Sequence, residues 1–265
     1  MKKNAHMKKI ASIVFTMIIV FSSFFYNGLQ VHASGWLDTA DNIDLNTSYS
    51  VCPGPNDYTA EEGFNTVRYD AYKFTVPANG SITINTELPE EGYTGYYLWH
   101  YYIYNSNSTD SSICDWTTDY KFDGSIGKNV ASVSYNLSAG TYYLVHRTIY
   151  NLYNYNVPYD LRIDYKPDLG KATIKKVKAR KKGLTVTWRK AAYASGYEIR
   201  CSRKKSMKSS KVYRVSSFSS SKKISKLSKK KKYYVQVRAY RDVVVNGETI
   251  RYVSSWSKKK SVKTK

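Results

Sequence analysis

One stretch of the chain decides the fold of its second half: Leu227-Ser-Lys-Lys-Lys-Lys-Tyr233-Tyr234-Val235-Gln236-Val237-Arg238-Ala239. Within it, Val235, Val237 and Ala239 fall on every second residue and polar side chains fall between them. This period of two predicts a strand with one buried face and one wet face. A Tyr at the corner that leads into such a strand can bury its ring and return its hydroxyl to the backbone upstream. Tyr233 therefore predicts a tyrosine corner at the start of a β-sandwich strand.

The rest of the second half agrees with this strand. Trp188 lies in an earlier alternating run, and Asn246-Gly247 predicts a hairpin turn in a later one. With these features the region from 170 to 265 resembles the fibronectin type III module, in the Lys-rich form found on surface proteins of Gram-positive gut bacteria. The resemblance implies a β-sandwich, and we assign Trp188, Tyr233 and Trp256 to its structural core. No Arg-Gly-Asp occurs in the final hairpin, so integrin recognition is not implied.

The first half also predicts strands. Tyr72, Phe74 and Val76 alternate with other residues up to Pro77, and Asn79-Gly80 then predicts a β-hairpin. Four motifs resemble the bacterial prepeptidase C-terminal type of β-sandwich over roughly residues 36 to 165. They are Asp70-x-Tyr72-x-Phe74-x-Val76-Pro77-Ala78-Asn79-Gly80, Tyr102-Ile103-Tyr104-Asn105-Ser106, Leu137-Ser138-Ala139-Gly140-Thr141-Tyr142-Tyr143 and Tyr159-x-Leu161-x-Ile163. Members of this family commonly accompany secreted enzymes as non-catalytic modules, and some bind calcium or polymeric substrates.

The chain is therefore expected to be all-β, with two β-sandwich domains in tandem at 34–166 and 170–265. Residues 1–33 have the charged start, the apolar run and the small-residue exit of a secretory signal peptide, with cleavage expected after Ala33. A membrane anchor is the alternative for this segment, although its apolar run is short for a span. Either Met1 or Met7 can serve as the start. The expected location is secreted or cell-wall associated in a Gram-positive type of bacterium, with no transmembrane segment in the mature chain.

The two halves of the chain carry net charges of opposite sign. Residues 34–168 contain 7 Lys or Arg against 17 Asp or Glu, whereas residues 170–265 contain 31 against 3. The net charges are −10 and +28, and this asymmetry indicates an electrostatic partner for the basic half. We expect an anionic cell-wall polymer or extracellular glycan and no nucleic acid, because an exported protein meets such polymers first. Solubility without specificity is the alternative reading. The predicted electrostatic residues are Arg203, Lys204, Lys205, Lys229, Lys230, Lys231 and Lys232.

Tyrosine is concentrated in the acidic half, which holds 19 of the 27 tyrosines between Tyr49 and Tyr165. The aromatic side chains of 93–104 cannot all point inward along one strand of period two. Some of them either pack against a second covered face or are exposed for binding. The candidate residues for contacts with carbohydrate, or with a host or bacterial surface protein, are Tyr96, Tyr97, Trp99, Tyr101, Tyr153 and Tyr155.

Cysteines and acidic residues give weaker signals. Cys52 and Cys114 lie in the same half, so a disulfide between them is one possibility, while Cys201 is expected to be a small core residue. Carboxylates at Asp38, Asp41 and Asp44 have a spacing that could hold calcium, but no calcium-binding loop motif is present, so no cofactor or metal is expected.

Catalytic motifs are absent from the sequence: there is no G-x-S-x-G, no H-E-x-x-H and no phosphate-binding glycine loop. The expected function is a non-catalytic binding protein in adhesion or carbohydrate binding. Its basic module would anchor to anionic surface polymers, and its Tyr-rich module would present a binding surface. Two other classes stay open: a structural spacer in a surface assembly, and a hydrolase with an unrecognised site.

Overall fold

A computed structural model describes residues 39–52, 58–62, 65–89, 100–106, 111–117, 121–150 and 158–265. The predicted signal peptide at 1–33 lies outside these residues. Strands and turns make up the described part of the chain, which contains no helix. The all-β fold class is therefore confirmed.

Two sheets of the first half face each other. Their strands are β1 (Asp41–Asn42), β2 (Ser48–Val51), β3 (Tyr58–Glu62), β4 (Asn65–Val76), β5 (Gly80–Pro89), β6 (His100–Asn105), β7 (Cys114–Thr117), β8 (Lys121–Asp123), β9 (Lys128–Leu137), β10 (Gly140–Tyr150) and β11 (Tyr159–Pro167). One sheet has the order β1-β4-β10-β6-β7, with β3 also paired to β4, and the other has the order β2-β11-β5-β9-β8. Inward side chains of both sheets, among them Phe74, Ile82 and Leu161, form one buried core.

The predicted hairpin at Asn79-Gly80 is wrong. The strands on either side of it belong to different sheets, because β4 pairs with β10 and β5 pairs with β9 and β11. A type I′ hairpin turn requires positive φ at both central residues, and neither Asn79 nor Gly80 has one. Instead, the side-chain Oδ1 of Asn79 accepts a hydrogen bond from the backbone nitrogen of Ala139 at 2.9 Å. The segment is a corner that carries the chain from one sheet to the facing one.

The second half forms another pair of sheets. Its strands are β12 (Thr173–Arg180), β13 (Gly183–Arg189), β14 (Gly196–Ser202), β15 (Lys211–Ser216), β16 (Ser221–Ser225), β17 (Lys232–Val245), β18 (Glu248–Val253) and β19 (Lys260–Lys263). One sheet has the order β12-β13-β16; the other has the order β15-β14-β17-β18, with β19 paired to the first part of β17. A buried cluster that includes Trp188, Ile199 and Val237 fills the space between the two sheets.

The predicted tyrosine corner is confirmed. Tyr233 is buried, and its hydroxyl accepts a hydrogen bond from the backbone nitrogen of Ser228 at 3.0 Å. Leu227 packs against the same core, as the spacing between the two residues suggests. Trp188 is buried as well and lies 5.5 Å from the Tyr197 ring, measured between ring centroids. Both aromatic residues therefore belong to the core of the second sandwich.

Trp256 is not in that core, contrary to the prediction. It is half-buried and lies on the outer face of the β14–β17 sheet. Its ring lies between two guanidinium groups, with Arg200 at 4.3 Å and Arg238 at 4.4 Å from the ring centroid. Since a cation over an indole face gains from the ring quadrupole, the two arginines cover this Trp in place of an apolar core.

A hairpin of the second sandwich joins the two halves of the molecule. Strands β17 and β18 turn at Asn246 and Gly247, whose φ angles of 51° and 80° give the predicted Asn-Gly turn. Val243 and Val245, next to this turn, are buried in the core cluster of the first sandwich. The Asn246 side-chain Nδ2 donates to the carbonyl oxygen of Leu45 at 2.8 Å. The two sandwiches are therefore docked through buried valines and through a side-chain hydrogen bond.

Candidate cationic surface

Lysine-rich turns gather at the end of the second sandwich that lies away from the first. Backbone hydrogen bonds join these turns to the end of the chain: Leu227 donates to the Lys182 carbonyl, and Lys182 donates to the Lys265 carbonyl, both at 3.0 Å. The Thr264 hydroxyl also donates to the Ser228 carbonyl, at 2.6 Å. We call this region the cationic end and define it as residues 181–182, 203–210, 226–232 and 263–265. It contains 13 Lys or Arg and no Asp or Glu, and all 13 are exposed.

The three carboxylates of the second sandwich do not neutralise this end. Glu198 accepts from Arg214 Nε at 2.8 Å and from Arg238 Nη2 at 2.7 Å on the β14–β17 sheet. Asp242 holds the Arg251 guanidinium through two bonds of 2.7 and 2.8 Å. Glu248 directly follows the Asn246-Gly247 turn, at the opposite end of β17. The positive charge of the cationic end is therefore uncompensated by its own domain.

The pKa shifts of two of these carboxyl groups agree with this division. Burial alone would raise the pKa of Glu198, yet the hydrogen bonds from Arg238 and Arg214 hold it below its ordinary value. The Arg251 hydrogen bonds likewise lower the pKa of Asp242. Both groups are ionised at neutral pH and already paired, so neither carboxylate is available to the lysines of the cationic end.

A groove runs beside the cationic end, between the edge strands of the two sheets. Strand β15 is the edge of one sheet and pairs with β14, while β16 is the edge of the other and pairs with β13. The open space between them is about 530 Å³. Its cationic lining residues are Arg203, Lys204, Lys208, Lys211, Lys222, Lys223 and Lys226. The structure thus places two of the predicted electrostatic residues, Arg203 and Lys204, in one groove with five lysines that the sequence analysis did not single out.

The remaining predicted electrostatic residues lie outside the lining of the groove. Lys229, Lys230 and Lys231 are exposed on the turn between β16 and β17, and Lys232 begins β17. Lys205 is exposed on the 203–210 loop, where its carbonyl accepts from the Lys259 side chain at 2.6 Å. Sequence reasoning missed Lys222 and Lys223 because they lie within a strand. The signal for them was their position in an edge strand, which is known only once the strand order is known.

The structure describes one of the six aromatic residues that were predicted to bind a ligand in the first half. Tyr101 is wrong as a binding residue, because it is 0% exposed. Its ring is stacked between the rings of Trp116, at 5.1 Å, and His146, at 4.6 Å. A buried ring of this kind contributes to packing and is inaccessible to a ligand. Tyr96, Tyr97, Trp99, Tyr153 and Tyr155 lie outside the residues that the structure describes.

The strand that carries Tyr101 does have aromatic rings on both faces. Tyr102 and Tyr104 point away from the core and are half-buried. They pack against a second cluster on the outer face of the sheet, which includes Tyr69 and Val145. Of the two explanations for the aromatic run, packing on a second covered face therefore holds for the described part of it.

A buried polar pair in the first core was missed by the sequence analysis. His146 Nδ1 lies 3.2 Å from Asp70 Oδ2, and the two residues are 0% and 4% exposed. The Tyr159 ring contacts His146 edge-on, and its hydroxyl donates to the Tyr72 hydroxyl at 3.1 Å. Asp70 lies in the motif used for the family resemblance, but nothing in the sequence pairs it with His146. Because both side chains are enclosed, the pair has the position of a structural element of the core.

The pKa values of two cysteine thiols, Cys114 and Cys201, are raised, so neither of these thiols is activated. Cys52 and Cys114 are not joined by a disulfide, which the sequence had left open as one possibility. Cys52 follows β2 in one sheet, while Cys114 lies on β7 in the facing sheet and packs against the core. Burial raises the pKa of Cys114 to about 11, and burial also raises the pKa of Cys201 to about 11. Both of these thiols are therefore protonated at neutral pH, and Cys201 is a core residue as expected.

The described residues offer neither a metal-binding group nor a membrane-spanning helix. No group of three or more His, Cys, Asp or Glu side chains within them is arranged to hold a metal ion. Asp41 and Asp44 are exposed, and Asp38 falls outside the described part of the chain. No helix among the residues described is long and apolar enough to cross a membrane.

Comparisons with known proteins find likeness of structure alone. No protein-family profile matches the chain, and no curated protein sequence matches it either. Among solved structures, the chain is similar to the pre-peptidase C-terminal domain of a collagenase from Bacillus anthracis, with 20% identity over 47% of this chain and 94% of that one, at a TM-score of 0.31. It is also similar to the FN1–FN3 domains of chicken CNTN1, with 16% identity over 71% of this chain and 61% of that one, at a TM-score of 0.34. Both resemblances drawn from the sequence thus stand as likeness of structure, at low TM-scores.

Proposed function

We propose that this protein is a secreted or cell-surface, non-catalytic binding protein that anchors to anionic extracellular polymers through its second sandwich. The anionic partner is a cell-wall polymer or an extracellular glycan. The Tyr-rich first sandwich is carried on this anchor and presents a surface for carbohydrate or for a host or bacterial surface protein. The proposal for the first sandwich rests on Tyr96, Tyr97, Trp99, Tyr153 and Tyr155.

The observation that carries the proposal is the uncompensated charge of the cationic end. Its 13 exposed Lys and Arg side chains lie on turns and strand ends joined by backbone hydrogen bonds, and two of the domain's three carboxylates are engaged by arginines elsewhere. Like charges held together on one surface repel one another and favour a polyanion that replaces many small counterions at once. Such a surface supports attachment to a polymer better than recognition of one small ligand.

Two other classes of function remain as alternatives. A structural spacer would use the docked sandwiches only as a rigid rod and would show no affinity for polyanions. A hydrolase would need accessible polar groups that converge on a substrate. In the described part of the first sandwich, the His146–Asp70 pair is enclosed and does not meet this requirement.

The test uses the full mature chain and purified Gram-positive sacculi that carry their anionic polymers. Because exposed charges act over a Debye length of about 8 Å at physiological ionic strength, retention should be strong at low salt and lost near half-molar salt. Sacculi stripped of their anionic polymers should retain little protein. Retention that survives half-molar salt, or that is unchanged on stripped sacculi, would contradict the electrostatic anchor and favour an aromatic contact from the first sandwich.

A further inference from the structure

We infer that the groove between β15 and β16 is the seat of a single extended anionic chain, one that is rich in hydroxyl groups and carries one negative charge per repeat. This inference rests on the proposed function, since it names where and how the polyanion binds. It goes beyond the proposed function, because a positive surface without a groove would attract any polyanion from any direction. A groove instead fixes the path of one chain along the edges of the two sheets.

The shape of the groove limits what can enter it. Its two walls are edge strands of facing sheets, β15 on one side and β16 on the other. Facing sheets in a sandwich pack about 10 Å apart, so the opening between their edges admits one extended chain but not a double helix or a folded domain.

The chemistry of the walls selects the type of anion. Six of the seven cations in the lining are lysines, and Arg203 is the exception. An arginine fork recognises a discrete carboxylate or phosphate bidentately, whereas a lysine is a point charge on a flexible stem. Lysines spaced along two strands therefore suit singly charged groups that recur along a flexible chain. No carboxylate lines the groove, so nothing in it repels such a chain.

The 203–210 loop, which supplies Arg203, Lys204 and Lys208 to the lining of the groove, is held in place before any ligand arrives. The buried Ser202 hydroxyl accepts from the Lys204 backbone nitrogen and donates to the Lys208 carbonyl, both at 3.0 Å. Buried Met207 anchors the middle of the same loop, and its backbone nitrogen donates to the Lys204 carbonyl at 3.0 Å. A loop fixed in this way loses little conformational freedom on binding. The cations that it carries are thus pre-arranged along the groove.

The floor of the groove disfavours a nucleic acid. Proteins that bind single-stranded nucleic acid stack successive bases on a row of exposed aromatic rings. Here the aromatic rings of the lining are Tyr213 and Tyr233, and Tyr233 is buried. Tyr213 is half-buried, and the Lys211 ammonium lies 5.5 Å from its ring centroid. One partly exposed ring suits a sugar or polyol repeat better than a run of bases.

The test compares two variants of the full mature chain that lose the same charge. The groove variant K211Q/K222Q/K223Q removes three lysines that line the groove, and the control variant K229Q/K230Q/K231Q removes three from the neighbouring exposed turn. Binding is measured by fluorescence anisotropy with labelled poly(glycerol phosphate), hyaluronan oligosaccharide and oligothymidylate of matched charge. Thermal unfolding of each variant shows whether it is folded. A further variant, K211R/K222R/K223R, restores the charge.

We expect the groove variant to bind poly(glycerol phosphate) or hyaluronan about tenfold more weakly, because it loses direct contacts, and the turn variant about twofold more weakly through the screened field. The arginine variant should recover most of the binding. Stronger binding of either probe tells whether phosphodiester or carboxylate repeats are preferred. Equal losses in the two variants would overturn the groove while leaving the proposed anchor intact, and no loss in either would overturn both. Equal or tighter binding of oligothymidylate would overturn the assignment to a hydroxyl-rich chain.

Discussion

The dipeptide Asn-Gly occurs twice between strong strands and does two different things. At Asn246-Gly247 both residues have positive φ, and the chain turns back to pair β18 with β17. At Asn79-Gly80 neither φ is positive, and the chain crosses from one sheet to the facing sheet. The two segments look alike over four or five residues. The two conformations differ because β17 and β18 pair with each other, whereas β4 pairs with β10, and β5 pairs with β9 and β11.

Each glycine is needed for a different physical reason. A Cβ on Gly80 would lie 2.4 Å from the Lys166 carbonyl oxygen and 2.7 Å from the Pro167 Cα, so this position requires the absence of a side chain. A Cβ on Gly247 would meet nothing within 4 Å, but its φ of +80° is rarely adopted by L-residues. Gly80 allows a close approach of two strands, and Gly247 allows a backbone turn.

The largest effect is expected from Trp188→Ala, which tests whether the hairpin at Asn246-Gly247 stabilises both sandwiches. Trp188→Ala should cost about 3 to 5 kcal/mol, as truncation of a fully buried aromatic side chain does. If the hairpin valines stabilise the first core, losing the second sandwich should also lower the unfolding midpoint of the first. Denaturant unfolding of the full mature chain, followed with amide exchange in each half, measures both.

Trp256→Ala is the matched control for that experiment. Trp256 is half-buried under two arginines, so its truncation should cost about 1 kcal/mol. A Trp188→Ala protein that unfolds its second half while the first half keeps its full stability would break the link between the sandwiches.

A smaller effect is expected from Gly80→Ala. The added methyl group meets backbone atoms of β11, which cannot move away without disturbing the sheet, so we expect a loss of about 3 kcal/mol. The measurement is the free energy of unfolding of the first sandwich. In a strand without such a contact the same change would be stabilising, since Ala loses less backbone entropy than Gly. A neutral or stabilised Gly80→Ala protein would show that the close approach is not as described.

The smallest effect is expected from Gly247→Ala, at about 1 to 2 kcal/mol for placing a Cβ at positive φ. Gly247→Asn should recover much of that loss, because Asn tolerates the left-handed region, while Gly80→Asn should be worse than Gly80→Ala. Thermal unfolding of the four variants gives the comparison. The same ranking of Ala and Asn at both positions would mean that one cause, and not two, governs the two glycines.

The second sandwich could be predicted well, because its evidence is local. The period of two in β17, the Tyr233 corner and the buried Trp188 all follow from residues that are close in sequence. The period of two also shows that successive rings of β6 point to opposite faces of the sheet. It does not show which face is the core, and for this reason Tyr101 was predicted to bind a ligand although it is buried. Which face of a strand is buried depends on the partner strands of its sheet.

The errors and omissions share this origin. Trp256 lies outside the core, where its ring is covered by Arg200 from a strand that is distant in the sequence. The groove could not be predicted from the sequence, since its walls come from strands that face each other only in the folded sandwich. The charge asymmetry and the exposure of the lysine-rich turns were predictable, because turns at strand ends face water whatever their partners.

The length of β17 has a consequence for how the molecule behaves near a charged layer. The strand runs from Lys232, at the cationic end, to Val245, in contact with the acidic sandwich, and 14 residues of strand span about 45 Å. Because the docked hairpin fixes the two halves against each other, the positive and negative charge form a permanent dipole along this strand. A polyanionic layer should exert a torque on such a dipole during approach. The protein would then reach the layer with its lysines facing the polymer and its Tyr-rich sandwich facing away, so it would be oriented as it attaches.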